Sequence, residues 1–345
     1  MLYWRLLMAT FLERYQAGDR VAVWDELVAL GEGVRHKLYY ADAVAVAAET
    51  MRRARHNVEL LIQRLAQAGY RFVSPEDDAA LAPRPAAQGS GDPLAEAMRL
   101  MLQRSGNPLA EAIRQVSQGS EDLLAEAMRQ GMERARKRLS DRMTPEGRER
   151  MAALRAEIDA RQAARAAKVA ESLKKPPLEN PEVFDPPNSK TVGWLKKLEK
   201  AAGGPMPISV RAWYEQVGGV SLNGSHPAIN PRQSKEPSYA ADPLMVAPPQ
   251  DLIEMLEMEE DEDGEIRLWI APDDLHKANV SGGSPYSIAI PNACADALFE
   301  DEWHHTTFVK YLRIAFQWGG FPGWQRNKKW PAEALARLTE GLLPI

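Results

Sequence analysis

RAWYEQVGGVSLNG, residues 211–224, is the stretch that decides how the C-terminal half of the chain folds. Trp213 and Tyr214 close a segment with helical spacing, Gly218 and Gly219 follow, and apolar residues then alternate as they do in a strand. Because glycine lacks a side chain, it adopts backbone conformations that other residues resist. We therefore predict that the two aromatic side chains anchor a helix in the core and that the chain turns sharply into a sheet at the two glycines.

The segments around this corner show both helical and strand patterns. TVGWLKKLEKAAG, before the corner, and TTFVKYLRIAFQWGGFPGW, near the end of the chain, have helical spacing. DPLMV, EIRLWIAP and YSIAIP lie between them and have the apolar composition of strands. Helices, several strands and a closing helix are typical of an α+β domain with a mainly antiparallel sheet, which we assign to residues 190–345.

A family resemblance rests on the same residues. LEKAAGGPMPISVRAWYEQVGGV resembles the opening signature of the SUKH superfamily, which contains yeast cell-wall-assembly regulators and many bacterial immunity proteins, and DPLMVAPPQDL resembles its next strand and helix. The matching residues are Leu198, Glu199, Gly204, Pro207, Trp213, Tyr214, Gly218 and Gly219. The resemblance covers residues 190–324 and departs from the family at Val217, where asparagine is usual. It implies an α+β binding module without catalysis, whose partners are proteins and in many bacterial cases toxin domains that include nucleases; fold alone does not fix function, so this is an expectation.

Residues 1–74 have the pattern of a helical N-terminal domain. Apolar residues recur at helical spacing in MLYWRLLMATFLERY, in residues 19–30 and in residues 42–68. The first segment begins like an export signal, but Arg5 interrupts it and no small-residue cleavage site follows. We therefore expect a buried first helix.

Residues 75–133 combine a linker with an internal repeat. SGDPLAEAMR begins at Ser90, SGNPLAEAIR at Ser105 and SEDLLAEAMR at Ser120, so the period is fifteen residues. Each unit has the pattern of a short amphipathic helix, with proline at the first helical position in two of them. Two interpretations remain open: a duplicated insert without a function, or a surface for docking or self-association that would make the helical half an assembly scaffold.

Residues 134–175 are strongly basic. They contain thirteen Lys or Arg residues and six Asp or Glu residues, and RMTPEGR in their middle has the composition of a turn. This pattern predicts a long helical hairpin, either as a solvated arm or as a basic handle for nucleic acid or an acidic partner. Residues 176–189 are rich in proline and are predicted to be a linker to the α+β domain.

The overall composition excludes several classes of protein. The net charge of −5 and the pI near 5.8 argue against nucleic-acid binding, which usually needs a basic domain. A single cysteine, Cys294, rules out an intrachain disulfide and a multi-thiolate zinc site. No apolar run reaches the roughly 20 residues of a membrane span. We expect a cytoplasmic protein that does not bind membranes or require a cofactor.

One cluster could carry metal-dependent chemistry. FEDEWHHTTF places Asp301, Glu302, His304 and His305 within five residues. On a helix, Asp301 and His305 would share a face and could hold one edge of a metal site, which gives the alternative function of a metal-dependent hydrolase. The other interpretation is a helix N-terminus enriched in acidic residues. Adjacent histidines point in different directions, so we predict no metal site. The resemblance to the SUKH superfamily implies that the protein has no enzymatic activity.

An acidic run precedes the second strand segment of the α+β domain. EMEEDEDGE, residues 257–265, carries seven carboxylates in nine residues, which must be solvated or neutralised by a cation or a basic partner. An exposed hairpin tip would satisfy the first condition. Under the immunity interpretation, the run would complement a basic toxin domain and accelerate association. The residues that we assign to this acidic surface are Glu259, Glu260, Asp261, Glu262 and Asp263.

Overall fold

The computed structural model describes residues 9–73, 77, 145–229, 241–258, 266–278, 280, 282–326 and 331–345. The chain forms two compact units, of which the first comprises Met1–Ala79 and Lys168–Ile345 and the second comprises Ala80–Ala167. The fold is mixed helix and sheet, as the sequence predicts. The fifteen-residue repeats and the acidic residues 259–265 lie outside the described residues.

Three α-helices and a 3-10 turn form the described N-terminal part. Their bounds are α1 Phe11–Ala17, α2 Arg20–Ala29, the 3-10 turn Gly31–Arg35 and α3 Tyr40–Gln67. The first helix begins at Thr10, whose hydroxyl accepts from the Glu13 backbone N–H while the Glu13 carboxylate accepts from the Thr10 N–H, a capping box. The predicted start of this helix, residues 1–8, lies outside the described residues.

One long helix, α4 Pro145–Ser172, covers the described part of the basic segment. It begins at the proline of RMTPEGR, where the missing N–H of proline is harmless. Residues 134–144, which contain the first half of the predicted hairpin, lie outside the described residues. The structure therefore shows one helix of this segment and leaves the hairpin a prediction.

The C-terminal part follows the predicted order of helices and strands. Its elements are the 3-10 turn Pro177–Glu179, β1 Phe184–Asp185, α5 Thr191–Ala201, α6 Ile208–Gln216, β2 Gly219–Ser221, β3 Met245–Val246, α7 Pro249–Met258, β4 Ile266–Ala271, α8 Asp274–Lys277, β5 Tyr286–Ile290, α9 Phe308–Gln317, the 3-10 turn Pro322–Arg326 and α10 Ala332–Thr339.

The described strands form two small antiparallel sheets. One sheet has the order β1-β2-β3, and the other pairs β4 with β5. The Ala247 N–H donates to the Ile270 carbonyl at 2.8 Å, so the end of β3 contacts β4. Two isolated bridges, Ser287 with Glu300 and Leu298 with Thr307, extend the second sheet beyond β5. The prediction of mainly antiparallel pairing is confirmed for the described residues.

The N-terminal helices share a core with the α+β part, which differs from the division that the sequence suggests. Val58 and Leu61 of α3 belong to the same buried apolar cluster as Val210 and Trp213 of α6. The Tyr70 hydroxyl donates to a carbonyl of the C-terminal part, that of Leu222, at 2.9 Å. A helix whose apolar face has no partner must bury it against another element, and α3 buries its face against α6. Residues 1–74 are therefore part of the same compact unit as residues 190–345.

The corner at residues 211–224 is built as a close contact between helix, turn and sheet. Trp213 and Tyr214 are fully buried, and the Trp213 indole N–H donates to the Gly218 carbonyl at 2.8 Å. Gly218 has φ +90°, and a Cβ there would lie 2.1 Å from the Asp185 carbonyl oxygen. This conformation and this contact both require glycine.

Candidate functional site

The outward side of β4 carries an exposed tryptophan. Leu268 and Ile270 are buried, whereas Arg267 and Trp269 alternate with them and face solvent. This period of two is that of a strand with one face on the core. Trp269 is 38% exposed. Such exposure is unusual for a tryptophan in a strand, because its side chain has a large apolar surface.

The segment next to β5 adds a second exposed apolar side chain to the same side. Glu300 pairs with Ser287, which itself pairs with Trp269, and directly paired residues project to the same face. Leu298 lies two residues before Glu300, so it projects to that face as well, and it is 52% exposed. The residues of this side, which we call the outer face, are Arg267, Trp269, Ser287, Leu298 and Glu300.

An ion pair crosses the outer face. The guanidinium of Arg267 lies 2.8 Å from the carboxylate of Glu300, spanning β5 from one side to the other. The arginine side chain is about half exposed and the pair is near solvent, so its contribution to stability is small. Its arrangement places one charge of each sign beside the apolar side chains of Trp269 and Leu298.

A buried ion pair lies beneath the opposite, inner side of the sheet. The ammonium of Lys277 lies 2.6 Å from the carboxylate of Asp242, and neither side chain has exposed surface. The Tyr286 hydroxyl donates to the same carboxylate at 3.3 Å, and Lys277 lies 4.7 Å from the centre of the Tyr286 ring. Burial, followed by the charge of Asp242, raises the pKa of Tyr286 and keeps its hydroxyl protonated. These groups are enclosed, and their contacts connect the segment at Asp242 to Lys277 at the end of α8 and to Tyr286 of β5.

The cluster from Asp301 to His305 is a turn that separates its members. Glu302 points inward and is fully buried, whereas Asp301 and His305 are exposed. The backbone at Asp301 has φ +60° and that at His305 has φ +51°, so the segment is not helical. The i,i+4 geometry required for a metal edge, and the acid-rich helix N-terminus expected otherwise, are both absent, because α9 begins only at Phe308.

Glu302 and His304 form a buried polar pair within this turn. One carboxylate oxygen of Glu302 accepts from the His304 backbone N–H at 3.0 Å, and the other contacts His304 Nδ1. His304 Nε2 lies 2.9 Å from the amide oxygen of Gln325. The contacts hold the turn in place. In the part of the chain that the structure describes, no group of three or more His, Cys, Asp or Glu residues could hold a metal ion.

Asp296 is a buried carboxylate that the sequence did not reveal. It accepts from the Ser209 hydroxyl at 2.7 Å and from the Val309 backbone N–H at 3.1 Å, which is in the first turn of α9. Burial raises its pKa, and these hydrogen bonds act in the opposite direction. Ser209 therefore bonds Asp296 and does not cap α6, which has no side-chain cap. Asp296 joins α6 to α9 and is structural.

Cys294, the single cysteine, does not add a reactive thiol to the described part of the chain. Cys294 is partly buried, and burial raises the pKa of its thiol, which disfavours the nucleophilic thiolate. The residues of the predicted acidic surface lie outside the described residues, between the end of α7 at Met258 and the start of β4 at Ile266. The described helices include none that is both long enough and apolar enough to cross a membrane.

Comparisons with protein-family models, with curated proteins and with solved structures find no significant match to this chain. The outer face could have been anticipated in part, because EIRLWIAP alternates polar and apolar residues and places a tryptophan on the polar side. The contribution of Leu298 could not, since it depends on an isolated bridge between segments without a strand pattern.

Proposed function

We propose that the protein is a non-enzymatic protein-binding module whose docking surface is the outer face. The observation that carries this proposal is the exposure of Trp269 and Leu298 on the same side of a sheet. Tryptophan is enriched among the residues that dominate the energy of protein interfaces. The resemblance of residues 190–324 to the SUKH superfamily points in the same direction, since its members bind proteins.

The support beneath the outer face favours binding over catalysis. Leu268 and Ile288 anchor the two strands in the core, and the Asp242–Lys277 pair lies on the inner side. A docking surface that is already ordered loses less conformational entropy when a partner binds. The face offers a large apolar side chain and one charge of each sign, which are elements of recognition.

The charge that precedes β4 in the sequence suggests which partner the outer face fits. Residues 257–265 carry seven carboxylates and lead directly into β4. We propose that the residues Glu259, Glu260, Asp261, Glu262 and Asp263 attract a partner with a basic surface, such as a nuclease toxin domain, and that the module neutralises it. Charges of opposite sign near a docking surface increase the rate of association more than the affinity.

Protein capture tests the proposal. Immobilised wild type, a Trp269→Ala/Leu298→Ser variant and a Val192→Ser control are incubated with extracts of the source cells, and retained proteins are identified by mass spectrometry. Val192 is also about half exposed, but it lies on α5. We expect one basic protein to be retained by the wild type and the control and lost by the double variant. Equal retention by all three would rule out the outer face as the docking surface.

The affinity for the retained protein then measures how much the outer face contributes to binding. Trp269→Ala should weaken binding by about thirtyfold, because truncation of a tryptophan at the centre of an interface costs about 2 kcal/mol or more. Replacing the five acidic residues by serine should slow association and leave dissociation nearly unchanged. Unchanged association would exclude the acidic surface. A stoichiometric amount of zinc or manganese in the purified protein would instead favour the metal-dependent hydrolase.

A further inference from the structure

A second apolar surface, unrelated to the outer face, surrounds the first turn of α3. Leu38 is 71% exposed, and Tyr39, Tyr40 and Val44 each expose more than a third of their surface. These four residues, which we call the aromatic patch, lie within seven positions of the chain. Contiguous exposed apolar side chains on a folded protein mark a surface that another group covers.

The start of α1 is fixed beside the aromatic patch. The backbone N–H groups of Phe11 and Leu12 donate to the carboxylate of Asp42, in the first turn of α3, at 2.5 and 3.1 Å. The Phe11 ring lies 6.4 Å from the ring of Tyr39, measured between centroids. The chain that precedes Thr10 therefore joins the described structure next to the patch.

The sequence of that preceding segment matches the surface. Residues 1–8 read MLYWRLLM, and seven of the eight are apolar or aromatic. Moving such large aliphatic and aromatic side chains out of water is favourable. Eight residues reach at most about 26 Å, which covers a patch that begins one turn away from their point of attachment.

We propose that residues 1–8 dock on the aromatic patch of their own chain. A segment tethered two residues from Thr10 is present at an effective concentration in the millimolar range, whereas a second copy or a partner must first bind from solution. The apolar composition of the segment and the exposure of the patch are thus complementary parts of one intramolecular contact. This inference does not depend on the proposed function.

Cysteine labelling tests this contact. In a Cys294→Ser background, Leu38→Cys is alkylated with iodoacetamide in the full chain and in a variant that lacks residues 2–8. We expect labelling in the shortened variant to be faster by about tenfold or more, the factor that about 1.4 kcal/mol of docking free energy confers. Val192→Cys, on α5, is the matched control, and its labelling rate should not change.

A full-length variant controls for an effect of the deletion on folding. Trp4→Ser/Leu6→Ser/Leu7→Ser keeps the chain length and should accelerate labelling of Leu38→Cys to a similar extent. Equal labelling rates in the full chain, the deletion and the triple variant would overturn the proposal. So would protection of Leu38→Cys that increases with protein concentration and survives the deletion, because a second copy would then cover the patch.

Discussion

Replacing Lys277 with methionine should destabilise the protein far more than loss of a surface charge. The ammonium lies 2.6 Å from Asp242, and both side chains lack exposed surface. At an effective dielectric constant of about 20, the attraction at this distance is about 6 kcal/mol. Part of it offsets the cost of burying both charges, and removing one partner from a buried pair typically costs about 3–5 kcal/mol. We expect Lys277→Met to lose that much, because the Tyr286 hydroxyl, at 3.3 Å, is then the remaining hydrogen-bond donor to Asp242 among the described residues.

A double-mutant cycle isolates the interaction of the two charges. Asp242 has φ +48°, a conformation that asparagine also tolerates, so Asp242→Asn changes the charge with little backbone strain. Asp242→Asn alone leaves the ammonium unpaired and should also be costly. The double variant Asp242→Asn/Lys277→Met has no buried charge here, and we expect it to be more stable than the sum of the two single effects by about 2 kcal/mol or more.

Urea denaturation at neutral pH, followed by circular dichroism, measures the four free energies of unfolding. Arg337→Met serves as the control, because Arg337 pairs with Glu333 at 2.6 Å while both side chains are largely exposed. It should cost only about 0.3–0.5 kcal/mol. If the two single effects at Asp242 and Lys277 add within about 0.5 kcal/mol, the charges do not depend on each other and the reasoning fails.

Two further predictions concern contacts between elements of the fold. Asp296→Asn should cost about 1–3 kcal/mol, since Ser209 and Val309 donate to different carboxylate oxygens and the amide nitrogen that replaces one of these oxygens cannot accept a hydrogen bond. Because burial raises the pKa of Asp296 above 3.8, the folded wild type binds that proton more readily than the unfolded chain, so wild-type stability should fall as pH rises through the interval above 3.8. The variant should lose this part of the fall in urea titrations followed upward from about pH 4, and an unchanged profile would contradict the assignment. Gly218→Ala should cost more than Gly203→Ala by about 2 kcal/mol or more, because both glycines have positive φ but only at Gly218 would a Cβ meet a backbone oxygen. If the two alanine variants lowered the melting temperature equally, the backbone around Gly218 would relieve this contact without a loss of stability.

The sequence predicted those parts of the fold that depend on local patterns. The order of elements from α5 to α9 follows from apolar periodicity and from glycine and proline positions. The partnership of α3 with α6 was missed, because periodicity shows that a helix has a buried face but not which element covers it. The buried pair of Asp242 and Lys277 was missed for a related reason. The two residues are thirty-five positions apart, and neither stands in a pattern that distinguishes it from a surface charge.

The arrangement of residues 301–305 could not be predicted from their spacing in the sequence, for a different reason. Four titratable residues in five positions suggested a shared site, but the spacing of ligands has meaning only once the backbone conformation is known. Positive φ at Asp301 and His305 directs the side chains apart, and Glu302 is satisfied by contacts to its own turn. The outer face has the opposite property, since its members are distant in sequence and are brought together by strand pairing.

The connection between α3 and the end of the chain bears on which residues support the outer face. Asn57 donates to the Leu343 carbonyl at 2.8 Å and accepts from the Leu343 N–H at 2.7 Å, as a strand partner would. Arg64 donates to the carbonyl of Leu338, at the end of α10. Removing residues 1–79 would therefore uncover the apolar side of α6 and release the chain after α10. The outer face thus belongs to the compact unit of Met1–Ala79 and Lys168–Ile345, which extends beyond residues 190–324, the region of family resemblance.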